Sequence, residues 1–153
     1  MKKHLMCIGM MVLAAMLFAN SGTITLQRGL NRAEIISSNS QNLVASFAIS
    51  AIDYQEVQTK EGMFTLLTAS DFTSTNDIGA PRLPLMRKII SVPISAEPKI
   101  RLFNTQRTQI ALDKHGVNYP VIPAQESVAK CDNIEDLPFV VNREFYNGKS
   151  SSS

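Results

Sequence analysis

Hydrophobic and polar positions alternate most clearly between residues 43 and 68. Leu43, Ala45, Phe47 and Ile49 take one side of a period-two pattern, with Val44, Ser46, Ala48 and Ser50 on the other. The larger side chains thus share a face, which predicts a strand. Ile52 to Thr59 continues as a second strand, Lys60-Glu61-Gly62 supplies a turn with glycine where a positive φ is needed, and Met63 to Thr68 returns. Together these two runs read as a hairpin.

After a Ser/Thr/Asn loop at Asp71 to Asp77 comes DIGAPRLPLMRKIISVPISAEP, Asp77 to Pro98. Gly79 permits a turn closed to other residues, and Pro81 and Pro84 hold the chain extended, pushing Ala80 and Leu83 to extended backbone as well. The run from Lys88 to Ile94 is apolar after the lysine, with Ser91 the only small polar interruption and Pro93 where a ladder donor would be missing. It predicts a strand buried through most of its length and ending at a sheet edge. Lys99 to Phe103 alternates basic and apolar, and Gln109 to Leu112 is a further short strand candidate. No stretch after residue 19 sustains a 3.6-residue period, and all seven prolines fall between Pro81 and Pro138. The expected class is all-β, a sandwich or jelly-roll-like pair of sheets.

The N-terminus follows a different pattern. Lys2, Lys3 and His4 precede an apolar run from Leu5 to Phe18, followed by small and polar residues. This is the layout of a secretory signal peptide, residues 1–19, with cleavage expected after Ala19 and with Ser21 or Gly22 as alternatives. Cys7 lies at the start of the apolar run, where it reads as a passenger and not as a lipidated cysteine. Residues 20–42, rich in Ser, Asn and Arg with one short strand candidate at Ala33 to Ile36, are expected to be a flexible leader. Residues 43–147 would form the β domain and 148–153 a disordered tail.

Removing residues 1–19 takes Lys2 and Lys3 away, so the 15 basic residues become 13, against 13 acidic ones. A formally neutral exported chain gives no electrostatic footprint for nucleic acid or an anionic membrane. Cys131 is the one cysteine left, so no internal disulfide is available and packing or a partner must hold the domain.

Three stretches carry a resemblance. Gly79-Ala80-Pro81-Arg82-Leu83-Pro84 resembles the G-x-P-x-L-P segment in the pro-domain of the gingipain-type cysteine peptidases, family C25, secreted enzymes of Bacteroidota. Upstream, Tyr54 through Gly62, YQEVQTKEG, is similar to that pro-domain's V-Q-T-x-x-G hairpin. Downstream, Val121-Ile122-Pro123, then Asp132 through Val140 with Leu137, Pro138 and Phe139, and finally Tyr146-Asn147, look like its I-x-P, N-P-x-x-I-P-Y-V and Y-N stations, with Ile134 where the family often has proline. The resemblance covers about residues 43 to 147, the first half or so of the family's pro-domain, so the β domain is expected to be incomplete at its C-terminus. The peptidase domain is not in the chain.

The resemblance implies a function. In these pro-domains a loop carries a basic side chain into the specificity pocket of the peptidase, and counting back from Leu137-Pro138-Phe139 the matching position is Lys130, flanked by Ala129, Cys131 and Asp132. An ammonium in a partly dehydrated acidic pocket makes a charge-assisted contact, and lysine at this position hints at a lysine-preferring target. Cys131 would lie just past the catalytic thiolate, where a mixed disulfide is conceivable. The bland readings are a solvated loop lysine and a small, half-buried thiol.

The sequence offers little chemistry of its own. Cys131 and His115 form the only dyad left after residue 19, with no acid or amide placed to orient His115. Asp113-x-His115 is too sparse for a metal, and no cofactor motif is present. Arg82, Arg87-Lys88 and Arg143 are candidate cleavage points. Two readings compete: an exported propeptide that keeps a C25-type cysteine peptidase, in cis or in trans, latent and folded, or a stand-alone cell-envelope β-sandwich binding module. The first depends on Lys130; the second expects an exposed apolar patch instead.

Overall fold

The computed structural model describes residues 20–127 and 138–146. Its regular structure is all-β with antiparallel sheets, apart from one 3₁₀ turn, Leu112–His115, and one short helix, α1 (Arg143–Tyr146). A three-stranded sheet has the order β1 (Ser21–Thr25), β4 (Ala51–Thr59), β5 (Gly62–Thr68). A hairpin of β2 (Arg32–Ser38) and β3 (Leu43–Ala48) extends from it, and β6 (Thr73–Ser74) pairs with β7 (Pro84–Leu85).

The hairpin read between residues 52 and 68 is present as β4–β5, with Thr59 opposite Gly62 and Gly62 at φ 118°. Thr59 adds to the turn, its hydroxyl donating to Gly62 O at 2.9 Å. Successive side chains point to opposite faces, so Ile24, Ile52 and Leu67 line one face of the sheet, all at most 9% exposed. The 3₁₀ turn leads into buried Val117, and Gly116 closes it at φ 80°.

The expected flexible leader, residues 20–42, is instead two strands. Ser21–Thr25 pairs with Gln55–Ala51 and buries Ile24 completely, and Arg32–Ser38 pairs with β3. Such strands need few apolar residues, because main-chain pairing satisfies their polar groups whatever the side chains are. Between them Gln27 to Asn31 loops out opposite only Ile49 and Ser50, and the Asn31 side chain fills the gap in the ladder. Its Oδ1 accepts from Ser50 N (2.6 Å) and Ala51 N (3.0 Å) while its Nδ2 donates to Ala51 O (2.8 Å).

The expected buried strand at Lys88 to Ile94 does not form. Residues 87–109 are exposed throughout, with Ile89 and Ile94 at 96% and 109%, and the segment has no ladder partner among the described residues. Pro93 and Pro98 each remove a main-chain donor, and the hydrogen bond made within the segment is a local turn, Ala96 N–H to Pro93 O at 2.9 Å. The strand candidate at Gln109 to Leu112 is likewise corrected: the chain there enters the 3₁₀ turn.

Candidate functional site

The described chain breaks off after Ser127 and resumes at Pro138, so Ala129, Lys130, Cys131, Asp132 and Leu137 lie outside the described residues, as do the cleavage position after Ala19 and the tail at 148–153. Both stems of the 128–137 segment are described, and they meet at one residue.

The outgoing stem is Tyr119 to Gln125. It lies parallel to β5: Thr65 N–H donates to Pro120 O and Ile122 N–H to Thr65 O, both at 2.8 Å, and the Thr65 hydroxyl donates to Tyr119 O at 3.0 Å. Thr65 is fully buried with its polar atoms paired, and Pro123 and Ala124 are buried beside it. On its other side the same stem meets the Gly79–Pro84 motif, where Gly79 N–H donates to Ala124 O, Ala124 N–H to Ala80 O and Arg82 N–H to Ile122 O, each at 2.8 Å.

The returning stem is Pro138 to Tyr146. Asn142 N–H donates to Gly79 O at 2.9 Å. Gly79 therefore holds the outgoing stem through its N–H and the returning stem through its carbonyl. A Cβ there would lie 2.9 Å from Asn142 N and 3.2 Å from Val140 Cγ1, and φ is 80°, so glycine is required by both space and backbone. Pro81 bridges Pro123, and Thr75 fastens the rest of the motif by accepting from Leu83 N–H at 2.9 Å and donating to Pro81 O at 3.2 Å. Pro84 opens β7.

Gln125 joins the two stems directly. Its Oε1 accepts from Val140 N–H at 2.8 Å and its Nε2 donates to Val140 O at 2.9 Å, so one amide side chain pairs with a main chain as a neighbouring strand would. Farther along, Phe139 packs on Phe64 of β5 with centroids 5.5 Å apart, and Tyr146 meets the same ring edge-on at 6.4 Å. The Tyr146 hydroxyl donates to Val121 O at 2.8 Å, and burial raises its pKa. The arrangement brings Gln125 and Val140 together and pins both stems to the sheet.

The structure thus sets Gly79 and Pro81 against the outgoing stem and packs Phe139 on Phe64, while Pro138 and Leu83 are exposed. Sequence reasoning missed Gln125 and Asn142, whose partners are distant in the chain. His115 is exposed on the 3₁₀ turn, and Asp113 with it.

A profile of the C25 propeptide family (Propeptide_C25) matches residues 24–152. Lys-gingipain of Porphyromonas gingivalis is 30% identical over 149 residues, covering 97% of this chain, and a second Lys-gingipain of that organism is 29% identical over the same length. The chain spans only 9% of those relatives. A structure solved for the zymogenic latency of gingipain K from Porphyromonas gingivalis superimposes with a TM-score of 0.76 at 29% identity, covering 84% of this chain and 70% of that one. The matching profile begins inside β1 and runs past both stems of the pinned loop, and the fold is that of the gingipain K structure: the chain belongs to the propeptide family of the C25 peptidases.

Proposed function

We propose that this chain is an exported propeptide that holds a C25-type cysteine peptidase latent and assists its folding, in cis or in trans, by presenting Lys130 to the specificity pocket. Ala129, Cys131 and Asp132 flank that lysine in the inhibitory loop. The observation that supports the reading is the base of that loop, both of whose stems are hydrogen-bonded to Gly79 and to each other through Gln125. An inhibitor that enters an active site without being turned over needs its loop restrained at both ends, because restraint lowers the entropy lost on binding.

The chemistry is that of a lysine side chain in an acidic pocket, worth about 1.5–3 kcal/mol when charge-assisted. Tethering through a short linker adds an effective concentration of about mM. The chain itself is non-catalytic in this reading and acts without a cofactor. The exposed apolar residues between Ile89 and Phe103 suit a surface that a peptidase covers. A stand-alone binding module would present the same residues, and the two readings part at the active site.

A titration of one lysine-specific and one arginine-specific C25 peptidase with the exported chain tests the proposal. Inhibition of the lysine enzyme at least tenfold tighter than of the arginine enzyme is expected. A folded chain that inhibits neither leaves the binding module as the reading.

A further inference from the structure

Asn20 stands opposite Glu56 at the open end of the β1–β4 pair, where Glu56 N–H donates to Asn20 O at 2.8 Å. Register puts the Glu56 side chain on the same face as Ile52 and beside fully buried Thr65, and Glu56 is itself only 9% exposed. A carboxylate at such a position is costly unless it is paired and hydrogen-bonded. Among the described residues its two donors both belong to Asn20: the main-chain N–H reaches Oε2 at 3.3 Å and the side-chain Nδ2 reaches Oε1 at 3.4 Å. Nδ2 also donates to Gly116 O at 3.0 Å, which ties residue 20 to the loop that closes the 3₁₀ turn. Charge-assisted bonds to a carboxylate usually run shorter than either contact, about 2.7–2.9 Å. The ion pair found among the described residues, Arg32–Glu34, is at the surface.

The nitrogen aimed at this carboxylate becomes a terminal amine if the chain is cut after Ala19. We propose that Glu56, with Gly116 O holding the Asn20 side chain, is a capture site for the α-ammonium of Asn20. The inference rests on reading residues 1–19 as a secretory signal. Hydrolysis of the Ala19–Asn20 bond by a signal peptidase consumes one water and leaves a carboxylate on Ala19 and an ammonium on Asn20. The cut thereby supplies the counter-charge for Glu56 and replaces a neutral amide donor with a cationic one. Removal of the signal then locks β1 onto β4, and the site is specific for the residue at which the cut falls. A cut after Ser21 or Gly22 removes Asn20 with its nitrogen, and one extra residue moves the charge by about 3.8 Å.

The test exports the full chain from a bacterial host through its own first 19 residues and reads the N-terminus of the product by mass spectrometry. The rate at which an amine-selective acylating reagent modifies the α-amine at neutral pH is then compared among three folded products. These are the wild type, Glu56→Gln, and a chain with one glycine inserted between Ala19 and Asn20 and cut before that glycine. The expected result is a product starting at Asn20 whose α-amine reacts at least tenfold more slowly than in the other two. If Glu56→Gln does not fold, the glycine insertion still gives the comparison. Equal rates with cleavage after Ala19 overturn the capture site while leaving the signal intact, a cut after Ser21 or Gly22 overturns it as well, and an exported chain left uncut overturns both.

Discussion

Gly79 has no side chain, yet it fixes the geometry of the loop base through its two main-chain groups. Alanine there would meet Asn142 N at 2.9 Å and would have to hold a φ of 80°. Gly79→Ala is expected to cost about 1–3 kcal/mol, read as a lower urea midpoint, and to weaken inhibition by loosening the returning stem. Unchanged stability and inhibition would mean that the stems are held elsewhere. Tyr146 titrates in a way that can be checked separately. Its pKa is raised by burial, so above the ordinary tyrosine value the unfolded chain has lost a proton that the folded chain keeps. The stabilising contribution is therefore full below about pH 10 and is lost as pH rises through the folded pKa. Tyr146→Phe is expected to lose about 0.5–1.5 kcal/mol at neutral pH with its bond to Val121 O. Its stability should also fall less steeply above pH 10, as thermal melts across pH will show.

The elements differ in how far the sequence announces them. The β4–β5 hairpin was legible because alternation and a turn glycine point the same way, and Gly62 takes the positive φ expected of it. The G-x-P-x-L-P motif was legible as a landmark, and the structure supplies its physical reason in the stems it holds. β1 was not legible, since Ser21, Gly22, Thr23 and Thr25 are small or polar and Ile24 alone is buried. Its pairing depends on residues about 30 positions away, and Asn31 completes the ladder from outside any strand. The run at Lys88 to Ile94 misled for the opposite reason: apolar composition says that a segment gains by being covered, but does not say by what. Arg87, Lys88, Lys99, Arg101 and Arg107 are exposed in that stretch, which has no strand pairing among the described residues. Limited trypsin digestion of the free chain should therefore cut there first, with mass spectrometry placing the first fragments between residues 87 and 108. First cuts at Arg32, in a paired strand, or at Lys60, in the turn between two paired strands, would contradict the difference in pairing described, since both are also exposed.

Taken as a whole, the described residues form small antiparallel sheets that hold two stems together and leave the apolar 87–109 segment exposed. Charge contributes little, since the chain after residue 19 is formally neutral. Specific recognition must then come from a few placed groups and from covered apolar area. The chain belongs to the C25 propeptide family, so the proposed partner is a cysteine peptidase, and Lys130 is the residue on which the proposed latency turns. The direct test is the inhibition constant of the exported chain against a lysine-specific C25 peptidase, measured for the wild type and for Lys130→Ala. At least a tenfold loss is expected, about 1.4 kcal/mol, with the fold unchanged by circular dichroism. Equal potency of the two would contradict it and return Lys130 to the solvent.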